Sequence, residues 1–597
     1  MTDVVVIGAG HAGVEAALAA ARRGASVTLV SFDRDNIGQM SCNPSIGGVG
    51  KGHLVRELDV FQGVQGWAAD RAAIHHRLLN RSKGAAVYGP RVQADRRLFA
   101  AAVRARVAAA SIDFIADEVT AIELQGDRLA GVRLAGGDRL DCRSLVVATG
   151  TFLGGRLFRG LATEQGGRVE ERAASLLGEQ FADLGLIAGR LKTGTPPRLD
   201  GRTIDWARLT PQPSDAERWT MSIQPGGAPP PQLACAITRT NPRTHEVIAR
   251  HADRSPLYAG DIGGRGPRYC PSIEDKVRRF ADRDGHQLFL EPEGLDTPLV
   301  YPNGISTSLP LDAQREMMAT IEGLEQCVIA TAGYAVEYGY SDPLALGPTL
   351  EHRDIGGLFL AGQINGTTGY EEAATLGLVA GLNAAARACD LDPLTFDRRE
   401  SYIGVLVDDL TLQGVSEPYR MMTARAERRL YLRADNAVER LATRAGKSGI
   451  SDAHRARLDR HLAAKQAARE GLDQPMVDPR DPDARPPRPL RYWLTRCDTR
   501  EAALEALGSG AAAQEVGHDV YYAPYVDRQQ RDWETVNRDL QVPIPAAFDF
   551  ARVPGLSAEM IERLSAARPD TLARAAQVRG ITPTALTSLH FALRHAR

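Results

Sequence analysis

The stretch VVVIGAGHAGVEAALAAARRGASVTLV, residues 4–30, reads as strand, glycine loop, helix and strand. Val4 to Ile7 form a short apolar run of the kind a fully buried strand shows. Gly8, Ala9, Gly10, His11, Ala12 and Gly13 then spell G-x-G-x-x-G. In that pattern the first glycine makes the tight turn, the second lets the backbone approach a pyrophosphate, and the third permits close helix–strand contact. An Ala-rich helix follows to about Arg23, Gly24 ends it, and Ser26 to Val30 form the next strand. The helix N-terminus presents N–H groups to phosphate oxygens, so a dinucleotide is expected here. Asp33, just beyond the second strand, is the nearest carboxylate for a ribose, and it suits a solvated turn equally well.

Two later segments favour FAD over NAD. LVVATGTFLGG, residues 145–155, is a buried strand ending in Ala-Thr-Gly. LFLAGQINGTTGYEEAATLGLVAGLN, residues 358–383, is strand, glycine-rich loop and helix, which brings a second helix N-terminus to a flavin. The expected fold is α/β: a Rossmann-like two-dinucleotide-fold core, discontinuous over 1–200 and 265–395, with an inserted subdomain at 201–264. From about Phe396 helical spacing of Ala, Leu and Arg dominates, predicting an all-α region over 396–541 and a small helical docking module over 542–597.

The chain has 597 residues, 43% hydrophobic and 24% charged, which predicts a soluble multidomain protein. Seven scattered cysteines argue against a disulfide scaffold and fit a reducing cytoplasm. No C-x-x-C pair or His/Cys cluster suggests a metal site, and no apolar run has membrane-spanning length. Net charge is −2, yet residues 420–500 hold 19 Lys and Arg against 11 acids, a surplus of eight. Such a segment suits either a polyanion or a solvated helical face.

Two cysteines stand in unusual settings. RGPRYCPSIEDKVRRF, residues 265–280, sets Cys270 before Pro271, which suits a first helical position. Ser272 with Asp275 offers a second cap. A thiol at a helix start beside Arg268, Lys276, Arg278 and Arg279 is set up for reactivity. A buried structural cysteine reads the same way. MSCNPSIGGVGKGH, residues 40–53, places Cys42 before a glycine loop that fails the P-loop pattern, because His53 follows Gly52. Lys51 and His53 are candidates for phosphate contact or thiol tuning. Arg81, Lys83, Arg91 and Arg96 lie in a segment that suits a substrate loop or a surface connection. LKTGTPPRLDGRTIDW, residues 191–206, reads as turns leading away from the flavin core.

Taken together, GAGHAG at Gly8, MSCNPSIGG at Met40, LKTGTPPR at Leu191, GPRYCPSIEDK at Gly266, YPNGISTSLP at Tyr301 and AGQINGTTGYEEAA at Ala361 closely resemble the MnmG (GidA) family of tRNA uridine 5-carboxymethylaminomethyl modification enzymes. The resemblance spans essentially the whole chain. It implies an FAD enzyme that acts with the GTPase MnmE on C5 of the wobble uridine of certain tRNAs. Methylenetetrahydrofolate would supply carbon, glycine or ammonia nitrogen, and NADH would reduce the flavin. It implies a homodimer and a cytoplasmic location.

Carried over by motif, Gly8 to Gly13, Val119, Ser175 and Gln363 would contact FAD. Gly266, Pro267, Arg268, Tyr269, Cys270, Pro271, Ser272, Ile273, Glu274, Asp275, Lys276, Val277, Arg278, Arg279 and Phe280 would form the NAD segment. Cys42 and Cys270 would be the two functional thiols. Arg425, Arg429 and Arg433 would meet tRNA. A thiolate added at C6 of uracil gives C5 the carbanion character it lacks. Leu376, Arg428 and Pro524 depart from the family pattern and fall where partner or tRNA docking is expected. Rival readings are a folate- and FAD-dependent tRNA uridine methyltransferase, whose chain lacks the long helical tail, a generic flavin reductase, and a non-catalytic tRNA scaffold.

Overall fold

The structure is a computed structural model that describes residues 2–167, 175–224, 226–256, 271–481, 486–537 and 542–595. Thr2–Ile7 pairs in parallel with Val27–Ser31 on one side and Arg139–Val147 on the other. Ile112–Ala116 and Leu358–Leu360 extend the parallel ladder, and Val119–Gln125 and Arg128–Leu134 add antiparallel strands, completing a seven-stranded sheet. Val4, Val5 and Val6 are fully buried, as a strand covered on both faces requires.

Helices His11–Arg22 and Tyr370–Ala388 pack on this sheet and against each other. Their crossing depends on glycine. A Cβ on Gly377 would stand 2.1 Å from Ala12 O, and one on Gly381 would stand 2.2 Å from Ala16 O. Leu376 is fully buried in the principal core between them. The core is therefore α/β, as expected.

The second layer is broader than the segment 201–264. A six-stranded antiparallel sheet runs Thr210–Gln212, Cys235–Arg239, Gln287–Pro292, Leu299–Asn303, Arg198–Asp200 and Ile329–Thr331. It crosses the expected boundary at 265, because Leu199, Leu288, Leu290 and Val300 close one apolar core. A four-stranded sheet, which includes Gly189–Thr195 and Tyr334–Tyr340, joins this layer to the first. Residues 191–195, expected as turns leaving the core, are thus a strand.

The segment at 271–280 also differs from its expectation. The helix is Ile273–Arg279, capped by Ser272, whose Oγ accepts from Asp275 N at 3.4 Å. Pro271 precedes the cap instead of occupying the first helical position. Gly266, Pro267, Arg268, Tyr269 and Cys270 lie outside the described residues.

Beyond residue 396 helices dominate. Pro475–Met476 and Arg488–Pro489 form a two-residue ladder that brackets the Pro-rich linker. Pro524 sits inside the long helix Ala511–Asn537. Arg428 donates to Gln530 Oε1 on that helix at 2.8 Å and stacks on Tyr431. The last three helices, Ala558–Ala567, Leu572–Gln577 and Pro583–His595, enclose their own small core. Leu412 of the preceding region completes that core, and Arg574 pairs with Asp408 at 3.2 Å. Among the described residues no helix is long and apolar enough to cross a membrane.

Candidate flavin and thiol site

A cavity of about 740 Å³ opens at the carboxyl ends of the parallel strands, where ligands bind in open α/β sheets. Both core helices start at it. Neither Gly10 nor Gly369, the residues that cap them, supplies a side-chain cap, and the first turn of His11–Arg22 carries no acid, so it suits an anion, whereas that of Tyr370–Ala388 carries Glu371 and Glu372. A Cβ on Gly10 would meet nothing within 4 Å, which is the cradle a pyrophosphate needs. Gly13 has another task, since a Cβ there would lie 1.7 Å from Gly8 O.

Ile7, Val30, Phe32, Val119, Phe152 and Leu177 supply apolar wall. Thr149 Oγ1 and Asn43 Oδ1, both on cavity residues, are buried with no hydrogen-bond partner among the described residues. Apolar walls, a helix N-terminus and unused polar atoms fit FAD. Gln363 lines the same wall, with Nε2 3.4 Å from Tyr338 Oη.

Cys42 lines the same cavity. Its Sγ is 3.2 Å from Tyr301 Oη, and its N–H donates to Tyr370 Oη at 2.5 Å. Burial first, and then the adjacent Cys42 sulfur, pushes the Tyr370 hydroxyl up to about 12. The Cys42 carbonyl accepts from Arg96 at 2.8 Å and from Arg198 at 3.2 Å. Burial opposes the charge on Arg198, but Glu293, Tyr301 and Cys42 beside it hold the guanidinium protonated.

Sequence comparison assigns both parts of the chain. The family model described as glucose inhibited division protein A matches residues 3–392. The model described as the tRNA modifying enzyme MnmG/GidA C-terminal helical bundle matches residues 532–597. A Zymomonas mobilis protein named tRNA uridine 5-carboxymethylaminomethyl modification enzyme MnmG is 51% identical, over 98% of this chain and 97% of its own. The chain belongs to the MnmG/GidA family.

Solved relatives carry the same fold. Aquifex aeolicus GidA, in two crystal forms, superposes with a TM-score of 0.90 each time, at 40% and 41% identity. The match covers 99% of this chain and 98% or 100% of theirs.

Within this MnmG/GidA fold the expected site residues divide into groups. Gly8, Ala9, Gly10, His11, Ala12, Val119, Gln363 and Cys42 meet at the cavity. Ser175 begins the helix Ser175–Asp183, and it is Leu177 of that helix that reaches the wall. Of the segment 271–280, Pro271 and Lys276 line the cavity. Ile273 is core, and Glu274 is buried, accepting from Thr307 Oγ1 at 2.8 Å. Val277 packs on that core, Arg279 pairs with Asp275 at 3.8 Å, and Phe280 is 43% exposed.

Several charged candidates have partners within the protein, and of these Lys51 and Arg91 also line the cavity. Asp33 caps a short turn by accepting from Asp35 N, while Ser31, Asn36 and Gln39 face the cavity instead. Lys51 is gripped by Glu371 at 2.9 Å and Glu372 at 3.2 Å, so it ties the glycine loop to the second helix. His53 is fully buried against Tyr402, and burial pushes its imidazole down to about 4. Arg91 and Arg96 are paired with Glu291 and Glu293, and Arg81 reaches Glu217.

Arg433 is the clearest correction. Only 2% of its side chain is exposed, between Asp435 and Asp519, so it does not meet a polyanion. Arg425 stacks on Tyr419 and reaches Asp409 at 3.5 Å, whereas Arg429 is exposed. Tyr301, Tyr370, Arg198 and Glu293 are site residues that sequence reading missed as individuals. Tyr301, Tyr370 and Arg198 were present only as unassigned letters inside YPNGIS, GYEEAA and TPPR, and Glu293 lies in EPEG, residues 291–294.

Proposed function

We propose that this chain is an FAD-dependent enzyme that installs a carboxymethylaminomethyl or aminomethyl group at C5 of the wobble uridine of certain tRNAs. The observation that carries the reading is one cavity holding both a dinucleotide cradle and Cys42, in a chain of the MnmG/GidA family. The printed name of the Zymomonas relative supports the substrate.

Gly8, Gly10 and the N-terminus of His11–Arg22 would hold the cofactor's pyrophosphate, with Val119 and Gln363 beside it and the start of Tyr370–Ala388 toward the flavin. When bound, FAD supplies redox chemistry that no side chain performs. Cys42 adds as thiolate to C6 of uracil, and the electron pair of the C5–C6 bond becomes nucleophilic at C5. C5 then bonds to the electrophilic carbon, loses its proton, and expels the thiolate. Arg96 and Arg198, held by Glu293, keep the Cys42 backbone in place. Cys270, next to the cavity residue Pro271, is the second thiol of the reading.

Methylenetetrahydrofolate as carbon donor, glycine or ammonia as nitrogen source, and NADH bound through the segment 266–280 complete the reading. So do the GTPase MnmE, a homodimer and a cytoplasmic setting. Arg429, with Arg425 behind it, offers charge to tRNA. The family's C-terminal bundle at 532–597 favours this reading over a folate-dependent methyltransferase.

The test is nucleoside analysis of tRNA from cells with and without the protein. The modified wobble uridine should vanish on disruption and return with the wild-type chain, but not with Cys42→Ser. Normal modification in the disrupted strain would overturn the assignment.

A further inference from the structure

The surroundings of Cys42 are more ordered than packing alone requires. Arg96 and Arg198 both donate to its carbonyl, and both share one carboxylate, Glu293, at 3.1 Å and 2.8 Å. Two guanidinium groups against one buried carboxylate leave a surplus of positive charge beside the sulfur. The Arg198 guanidinium also lies over the Tyr301 ring, 4.7 Å from its centre, which fixes the ring's position. Tyr301 belongs to the strand Leu299–Asn303, which is paired along its length with Gln287–Pro292. The hydroxyl, 3.2 Å from Sγ, is therefore held before any substrate arrives.

We infer that Tyr301 is the positioning residue of the Cys42 thiol, its hydroxyl donating to the sulfur and holding it at the cavity wall. The inference rests on Cys42 as the reacting thiol and adds the group that aims it. Donor and acceptor follow from acidity. A phenol is a weaker acid than a thiol, roughly 10 against 8.5 in water. In the thiolate that the reaction requires, sulfur carries no proton, so the phenol is the donor of the pair. No bond to sulfur is made or broken by this contact.

Tyr301→Phe tests the hydroxyl alone, because the ring under Arg198 remains. The flavin-loaded full chain is treated with iodoacetamide near neutral pH, and alkylation of each cysteine is followed by mass spectrometry. Loss of the donor frees the sulfur from its place at the cavity wall and removes a hydrogen bond to the attacking thiolate, so Cys42 should react about threefold more slowly. Exposed Cys497 is the internal reference and should react at its wild-type rate. With tRNA, kcat should fall on the order of tenfold while KM for tRNA stays unchanged.

Equal Cys42 alkylation rates in the two proteins would overturn the inference. So would a raised KM at unchanged kcat, which would make the hydroxyl a substrate contact. Cys42→Ser separates the two levels. Full tRNA modification by that variant removes the reading of Cys42 as the reacting thiol, whereas the alkylation comparison still reads the hydrogen bond itself.

Discussion

Single residues show how differently two equally conspicuous letters can be used. Cys42 and Arg433 each stand out in the sequence, one beside a glycine loop and one in a basic stretch. Cys42 faces the cavity, and Arg433 is locked between Asp435 and Asp519. Nothing local separates them, because the partners of Arg433 include Asp519, which is 86 positions away. Cys42→Ser should therefore abolish tRNA modification while leaving bound flavin, read as visible absorbance per chain, unchanged. Arg433→Ala should destabilise the fold instead, lowering the thermal midpoint by removing a buried cation and leaving Asp435 only His518, and Asp519 only Lys465 and Arg469. Glu15 gives a pH dependence. Burial pushes its carboxyl from 4.5 to about 7, only partly opposed by Arg22 and the N–H groups of Gln65 and Val64. The folded state then binds the proton more tightly than the unfolded state. Stability falls as pH rises from about 4.5 to about 7, by roughly 3 kcal/mol from this group. Glu15→Gln should flatten that part of the thermal-midpoint curve, and an unchanged slope would remove Glu15 as its source.

At the level of elements, the legible parts were those whose period and caps lie within one window. The strand–loop–helix at 2–22 and its counterpart at 358–388 were both readable, since an apolar run, glycines and an Ala-rich helix are local signals. Their mutual packing was not readable, because Gly377 and Gly381 meet Ala12 and Ala16 across more than 350 positions. Gly13→Val should destabilise this unit by about 3 kcal/mol or more and yield protein without flavin, since the added carbons overlap Gly8 O. Gly10→Ala has open space and should fold normally, with weakened flavin retention as its only defect. The helix at Ile273–Arg279 illustrates the opposite case. Pro271 and Ser272 both suit a helix start, and the serine prevails because its hydroxyl satisfies an N–H that proline cannot.

Across the whole molecule, the C-terminal module is joined to the body at a few contacts. Arg574 reaches Asp408, Arg353 donates to Ala567 O, and Leu412 enters the module's core. Arg574→Ala should leave Asp408 buried without that partner and speed amide exchange in Leu572–Gln577 at least about tenfold, while the strand Thr2–Ile7 keeps its protection. Equal exchange in both proteins would mean that the remaining contacts, Arg353 to Ala567 O and the apolar packing around Leu412, hold the module without Arg574. The amino-acid sequence was sufficient for the α/β class, the dinucleotide cradle, the glycine loop after Cys42 and the helical tail. Each of these rests on spacing within some thirty residues, where backbone sterics and hydrophobic period act. It was not sufficient for the extent of the second sheet, which crosses residue 265, or for the fate of Lys51, His53, Arg91 and Arg433. It also did not reveal the Tyr301–Cys42 contact, which spans 259 positions. Burial and charge pairing are properties of the space around a side chain, and that space is filled by residues that become neighbours only when the chain folds.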